Sequence, residues 1–149
     1  MPTTSSKYIL LAEDNPADVF LVRQALAGSG VLFNLRVVSD GDEAMSFIDG
    51  LERGSALGCP ELLLLDLHLP KRDGDEVLQR LRASKRCGQT PVVILTSSDS
   101  PRDMERASRY AALRYFRKPS NLGDFMNLGE VVKSILETAS PEGDAPAPA

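Results

Sequence analysis

Four consecutive leucines, at positions 62–65, run directly into Asp66. A strand with one dry face alternates apolar and polar residues, so an unbroken apolar run predicts a strand that is buried on both faces. Asp66 lies where this run ends, and a carboxylate is rarely buried without a partner. Asp66 is therefore either a turn residue or part of a site, and the residues at the other strand ends decide between the two.

Short apolar runs alternate with helical patterns five times along the chain. The predicted strands cover residues 8–12, 33–38, 62–66, 92–95 and 113–117. Residues that can cap a helix follow each strand: Asn15, Asp40, Asp73, Ser100 and Asn121, with Glu43 as a capping-box acid. The inner face of the fourth helix is predicted to carry Met104, Ala107, Ser108 and Ala111. This alternation predicts an α/β fold, a doubly wound (βα)5 parallel five-stranded sheet with right-handed crossovers.

Composition excludes several classes of protein. A formal charge of -4 disfavours nonspecific nucleic-acid binding, and no apolar segment is long enough to span a bilayer. Cys59 and Cys87 form no C-x-x-C unit, and two cysteines are too few for a secreted disulfide framework, so they are predicted to be incidental thiols in a cytoplasmic protein. The length of 149 residues predicts one domain at 7–139, a loose start at 1–6, a disordered Pro/Ala-rich tail at 140–149 and no output domain.

Polar residues end four of the five predicted strands. They are Glu13 and Asp14 after the first strand, Asp66 after the third, Thr96 after the fourth and Lys118 after the fifth. Ligands of parallel α/β sheets gather at the carboxyl ends of the strands, so these side chains are expected at one edge. Three carboxylates so close together repel one another unless a cation lies among them, and oxygen ligands suit Mg²⁺ or Mn²⁺.

An acidic cluster with a lysine and a hydroxyl suits phosphoryl transfer. A metal ion and Lys118 would neutralise charge on the phosphoryl oxygens, and Thr96 would donate a hydrogen bond to one of them. Asp66, in the middle of the cluster, is the predicted nucleophile, while Glu13 and Asp14 are better placed to hold the metal and its waters.

Four motifs resemble the receiver domain of two-component response regulators. They are LLAEDN at 10–15, LLDLHLP at 64–70 followed by Asp73 and Gly74, VILTSS at 93–98 and YFRKP at 115–119. The resemblance covers roughly residues 7–138, and the stretches EDNPAD at 13–18 and DLHLPKRDG at 66–74 are similar to the small stand-alone regulators linked to bacterial phytochrome kinases. It implies a CheY-like fold with the flavodoxin-like strand order 2-1-3-4-5. It also implies a phosphoprotein that takes part in phosphorelay signal transduction and accepts its phosphoryl group from a sensor histidine kinase.

The resemblance also assigns roles to single residues. Asp66 would carry the phosphoryl group as an aspartyl phosphate, with metal-dependent autodephosphorylation, and the chain would catalyse nothing beyond its own phosphorylation and dephosphorylation. The further assignments are Glu13, Asp14, Asp66 and the backbone carbonyl of His68 as metal ligands, Thr96 and Tyr115 as a switch pair, Lys118 as a phosphoryl contact and Pro119 after a cis peptide bond. Many phytochrome-linked regulators have Asn at the position of His68. Taken singly, Thr96 could be a cap, Lys118 a solvated side chain and Tyr115 a core residue.

Two other classes of protein share this doubly wound α/β fold. An aspartyl-phosphate hydrolase usually places a second acid two residues after its nucleophile, and that position holds His68. A flavin or nucleotide binder offers backbone amides to an anion after its first strand, where this chain has the anionic pair Glu13 and Asp14.

Three arginines recur at helical spacing along the fourth helix, opposite its predicted buried face: Arg102, Arg106 and Arg109. Charge stripes are usually solvated faces. The alternative is an interface with acids such as Glu130 or Glu137 of a second copy, which predicts a homodimer through the fourth helix, the fifth strand and the fifth helix. Neither a direct nucleic-acid contact nor a membrane contact is predicted.

Overall fold

A computed structural model describes residues 7–31, 34–55, 57–97, 100–119 and 121–139, without the side chains of Ala107, Leu122 and Ala139. Five strands alternate with helices: β1 Tyr8–Ala12, α1 Pro16–Gly28, β2 Asn34–Val38, α2 Gly41–Glu52, β3 Leu62–Asp66, α3 Gly74–Arg82, β4 Val92–Thr96, α4 Pro101–Arg109, β5 Arg114–Arg117, α5 Leu122–Phe125 and α6 Asn127–Ala139. The predicted final helix is thus divided into α5 and α6. The predictions for 1–6, for 140–149 and for residues 33 and 98 lie outside the described residues.

All five strands are parallel and follow the order β2-β1-β3-β4-β5. This arrangement confirms the predicted α/β class and strand order. In the register of β3 and β4, Asp66 lies opposite Leu95, so the ends of these two strands are side by side.

Every residue of the three central strands is buried, which confirms the interpretation of the leucine run. Residues of β1, β3 and β4 that face one way form a hydrophobic cluster with α2 and α3; examples are Leu10, Leu65 and Ile94. The alternate residues, such as Ile9 and Leu64, are also buried. The edge strand β2 alternates between exposed and partly buried residues, as a strand with one dry face does.

The chain divides into two compact units. The first comprises Met1–Val19 and Phe33–Lys118, and the second comprises Phe20–Leu32 and Pro119–Ala149. Within the second unit, four apolar side chains of the last two helices are buried: Phe125, Leu128, Val132 and Ile135. A Cβ atom on Gly129 would collide with the Ala25 carbonyl oxygen, so glycine allows α6 to approach α1 closely.

Four of the predicted helix caps make the expected hydrogen bonds. Ser100 Oγ accepts from Arg102 N at 3.2 Å, and Asn121 Oδ1 accepts from Asp124 N at 2.8 Å. Asn15 Oδ1 accepts from the backbone N–H groups of residues 17 and 18, and Asp40 Oδ1 accepts from Glu43 N at 2.8 Å. The Glu43 carboxylate accepts from Ser39 N at 2.7 Å, one residue before the position that a capping box uses. Asp73 occupies the N-cap position of α3 without a side-chain capping bond.

The predicted inner face of α4 is wrong. Met104 is 48% exposed and Ser108 is exposed. Ala111 is also exposed and lies after the helix with a left-handed φ of 61°. Among the side chains that the structure describes on this helix, which do not include Ala107, the buried one is Asp103. A nine-residue helix with so few apolar side chains has no strong hydrophobic stripe, so polar contacts decide which side faces the protein.

Cys59 and Cys87 form a disulfide with a Cα–Cα distance of 5.5 Å, so the prediction of incidental thiols is wrong. Each cysteine lies in the loop before one of two neighbouring parallel strands, β3 and β4. The sheet therefore brings the two loops together at the end from which these strands start. In the described part of the chain, no helix is both long and apolar enough to cross a membrane.

Candidate phosphoryl-acceptor site

The carboxyl ends of the strands bring the predicted acidic residues together. One carboxylate oxygen from each of Glu13, Asp14 and Asp66 lies within 4.8 Å of the others. The Lys118 Nζ atom lies 2.7 Å from Glu13 Oε1 and 3.4 Å from Asp66 Oδ2. Three separate strands thus supply a compact group of three acids and one lysine.

Asp66 is positioned by the backbone on both sides of it. Its side chain is nearly buried at the end of β3, and Oδ1 accepts a hydrogen bond from His68 N at 2.9 Å. The first turn of α3 passes close by, because Gly74 N donates to the Leu67 carbonyl oxygen at 2.7 Å. A Cβ on Gly74 would lie 2.5 Å from the Asp66 carbonyl oxygen, so this approach requires glycine.

Glu13 is buried in an environment that opposes its charge. The residue is 1% exposed, and its Oε2 accepts from Asn15 N at 3.1 Å. Burial raises the pKa of Glu13 to about 7; contact with Lys118 lowers the value and the Asp66 carboxylate raises it. Although Oε1 lies 2.7 Å from Lys118 Nζ, it has no partner with hydrogen-bond geometry among the described residues.

The cluster fits a divalent cation. Its donors are carboxylate oxygens, which Mg²⁺ and Mn²⁺ prefer, and Glu13 Oε1 is a buried oxygen that a cation would satisfy. Asp14 is exposed, so a cation held there could retain waters. The backbone carbonyl of His68 stays a predicted ligand.

Lys118 joins three carboxylates. Besides Glu13 and Asp66, its Nζ contacts Asp18 Oδ2 at 2.9 Å. Burial alone would lower the pKa of Lys118, but the neighbouring carboxylates of Glu13, Asp18 and Asp66 raise it above its usual range. The strand-end pattern in the sequence does not single out Asp18; its position one turn after Asp14 is the signal that both residues face the same site.

The peptide bond before Pro119 is trans, because the described chain contains no cis peptide bond. The predicted cis bond is therefore wrong. Trans is favoured at X–Pro bonds by about 0.5–1 kcal/mol. Lys118 N donates to the Thr96 carbonyl oxygen at 2.7 Å, which fixes the end of β5 against the end of β4 with this bond in the trans form.

The structure places Thr96 and Tyr115 without testing their predicted roles. Thr96 is fully buried as the last residue of β4, next to the position paired with Asp66. Tyr115 lies opposite Ile94 and packs, partly buried, against the hydrophobic cluster of the first unit. Its role as a switch residue stays a prediction.

The arginine stripe does not form one free face. Arg106 contacts Asp75, Asp103 and Asp73 within its own chain, at 2.7, 3.3 and 3.7 Å. Its predicted position opposite the buried face of α4 is wrong, because the helix turns this residue towards α3. Arg109 pairs with Glu105 on the same helix, and Arg102 is exposed.

A parallel sheet in this order with an acidic cluster at its carboxyl edge is the architecture of CheY-like receiver domains. The chain belongs to the response regulator receiver domain family, whose sequence model matches residues 9–129. It is thus a signalling protein of the two-component class.

Individual relatives support this assignment. Response regulator Rcp1 of Synechocystis sp. is 36% identical over 135 residues, which cover 90% of this chain and 92% of Rcp1. The probable methanogenesis regulatory protein FilR2 of Methanothrix harundinacea is 37% identical over 125 residues, which cover 84% of this chain and 80% of FilR2.

Solved structures show the same similarity. The phosphorylated cyanobacterial phytochrome response regulator RcpA has a TM-score of 0.81 at 35% identity, over 90% of this chain and 96% of RcpA. The Mn²⁺-bound form of Rcp1 has a TM-score of 0.79 at 36% identity, over 90% of this chain and 97% of Rcp1.

Proposed function

We propose that Asp66 accepts a phosphoryl group from a sensor histidine kinase. The observation that carries this proposal is the position of Asp66, which ends a buried strand beside two further carboxylates and Lys118. A turn residue would need none of these neighbours. Neither of the two other classes with a similar fold has a supporting feature here. An aspartyl-phosphate hydrolase would need a second acid at position 68, which holds histidine, and a flavin or nucleotide binder would need a loop after β1 that is not anionic.

The proposed chemistry divides among the side chains at this edge. An Asp66 oxygen attacks phosphorus, and the bond between phosphorus and the donor nitrogen breaks. Lys118 neutralises charge on a phosphoryl oxygen, and the Thr96 hydroxyl donates to another. Mg²⁺ or Mn²⁺, when held by Glu13, Asp14 and Asp66, offsets the charge of the acids and of the incoming group. Beyond its own phosphorylation and dephosphorylation, we propose no enzymatic activity.

Acetyl phosphate tests the acceptor residue directly. Incubation with Mg²⁺ should add the mass of one phosphoryl group in the intact-mass spectrum, and a chelator should abolish the addition. The matched variant Asp66→Asn should gain nothing, whereas Asp73→Asn, an acid in the following loop, should gain the same mass as the wild type. Equal labelling of Asp66→Asn would place the phosphoryl group elsewhere.

The kinase partner follows from the named relatives. Because Rcp1 and RcpA are 36% and 35% identical to this chain and RcpA is a phytochrome response regulator, we propose a phytochrome-type histidine kinase as the donor. Phosphotransfer from such a kinase should be faster than from an unrelated histidine kinase at equal concentration. Equal rates would contradict the phytochrome link.

The remaining proposals concern the bounds of the domain, its location and its partners. One receiver domain spans residues 7–139, acts in the cytoplasm and binds neither nucleic acid nor membrane directly. A homodimer through α4 and β5 is supported by two exposed apolar side chains, Met104 on α4 and Leu113 just before β5. Replacement of both by serine should lower dimerisation in analytical ultracentrifugation; an unchanged dimer would locate the contact elsewhere.

A further inference from the structure

Charged side chains fasten helix α4 to its neighbours in the first unit. Asp103 is 6% exposed, whereas Met104, the one large apolar residue of this helix, is 48% exposed. Arg106 pairs with Asp103 on the same helix and reaches Asp75 on α3 at 2.7 Å. Directional contacts between charged groups therefore help to dock α4.

One of these contacts leads to the acceptor residue. The His68 Nε2 atom lies 2.9 Å from Asp103 Oδ2, while the backbone N–H of His68 donates to Asp66 Oδ1, also at 2.9 Å. His68 thus contacts the acceptor carboxylate through its backbone and α4 through its side chain. These two bonds form a continuous connection from Asp66 to Asp103.

We propose that His68 is a positioning residue that couples the charge on the Asp66 carboxylate to the docking of α4 through Asp103. The proposal rests on the proposed function for the natural event that changes this charge. In that event, an Asp66 oxygen bonds to phosphorus while the N–P bond of the donor phosphohistidine breaks and leaves its electron pair on nitrogen. The carboxylate thereby becomes an acyl phosphate, and the oxygen that is not bonded to phosphorus loses its carboxylate charge.

Loss of that charge weakens the first bond of the connection. Hydrogen bonds to an ionised acceptor are roughly twice as strong as those between neutral groups. A weaker bond to Asp66 frees the backbone at His68, and the ring then holds Asp103 less firmly. Because isolated helices shorter than about 12–15 residues are marginal in water, the nine-residue α4 depends on its docking to stay folded.

Hydrogen–deuterium exchange of the α4 amides at residues 104–109 measures this docking. Asp66→Asn removes the acceptor charge without phosphorylation, and His68→Ala removes the ring. Each variant should speed exchange in α4 by about tenfold, the effect of losing one hydrogen bond to a charged group on a half-exposed side chain. The double variant should exchange no faster than either single variant, because both changes break one connection. His68→Gln, which can still donate to Asp103, should restore slow exchange and the response to Asp66→Asn.

Arg109→Ala is the matched control on the same helix. Arg109 is exposed and pairs with Glu105 of α4 itself, so its loss affects the helix without touching the connection through His68. In this background, Asp66→Asn should still speed exchange in α4. A purely structural role for His68 would instead make the effects of Asp66→Asn and His68→Ala additive.

Two results would overturn the coupling. One is unchanged exchange in α4 after Asp66→Asn, and the other is unchanged exchange after His68→Ala. The phosphorylated wild type provides a separate measurement, since intact mass reports whether the phosphoryl group is present. Absence of added mass refutes the proposed function, whereas added mass with unchanged α4 exchange refutes the coupling.

Discussion

Reduction of the Cys59–Cys87 disulfide is expected to lower the free energy of unfolding by about 3.5 kcal/mol. The bond joins residues separated by 28 positions, and it therefore restricts the unfolded chain far more than the folded one. The chain-entropy relation for a loop of this length yields this value. At roughly 3 °C per kcal/mol for a protein of this size, the midpoint of thermal unfolding should fall by roughly 10 °C.

Reduction is a cleaner perturbation than mutation, because both sulfur atoms stay in place. Cys87 is buried in the hydrophobic cluster, so replacing it would add a packing defect. Urea unfolding with and without a dithiol reductant separates the two forms. The dependence of the unfolding free energy on urea should be steeper after reduction, because an unfolded chain without the crosslink exposes more surface.

The control is Cys59→Ser, which cannot form the bond. Its unfolding curve should be indifferent to the reductant and should resemble that of the reduced wild type. Equal midpoints for oxidised and reduced wild type, with thiol titration proving reduction, would refute the entropic reasoning. Two free thiols in the untreated protein would refute the bond itself. Because disulfides are rare in the cytoplasm, the reduced form is the one expected at the proposed location.

Three further predictions concern substitutions of single residues. Gly74→Ala should destabilise the fold by about 1–3 kcal/mol in urea unfolding, because the added Cβ meets the Asp66 backbone. The control Gly50→Ala, which has open space around it inside α2, should be neutral or stabilising. Equal effects of the two substitutions would contradict the steric argument. Arg82→Ala should cost about 1–3 kcal/mol, because the guanidinium donates to four backbone carbonyl oxygens, and Arg82→Lys should recover part of the loss. An Ala variant as stable as the wild type would refute that role. Burial raises the pKa of Tyr8 to about 12. The protonated Tyr8 hydroxyl therefore stabilises the fold fully at pH values below 10.0, the pKa in the unfolded chain, and this contribution is lost as the pH rises towards 12. Tyrosinate absorbance of the wild type minus that of Tyr8→Phe should titrate near 12; titration near 10 would disprove the shift.

Strand positions and the acceptor candidate followed from the sequence because they depend on local patterns. An apolar run that ends in Asp66 predicts both a buried strand and a polar group at its end. Since parallel strands align their carboxyl ends, Glu13, Asp14, Thr96 and Lys118 could be grouped before any coordinates were known. The helix caps at Asn15 and Asp40 also depend on neighbouring residues alone.

Contacts between distant residues were not predictable in the same way. Lys118 pairs with Asp18 across 100 positions, and His68 pairs with Asp103 across 35. No periodicity in the sequence reports such pairs. The trans bond before Pro119 escaped prediction because the two forms differ by only about 0.5–1 kcal/mol.

The sequence by itself thus determined the sheet and the chemistry at its edge, because burial and strand polarity act on neighbouring residues. Only the tertiary structure decided how α4 is turned, with Asp103 inside and Met104 outside, because polar partners on other elements outweigh a weak apolar stripe. It also decided the pairing of Cys59 with Cys87, since two neighbouring strands start beside each other. Both outcomes depend on which segments the sheet brings into contact, and that information exists only once the chain has folded.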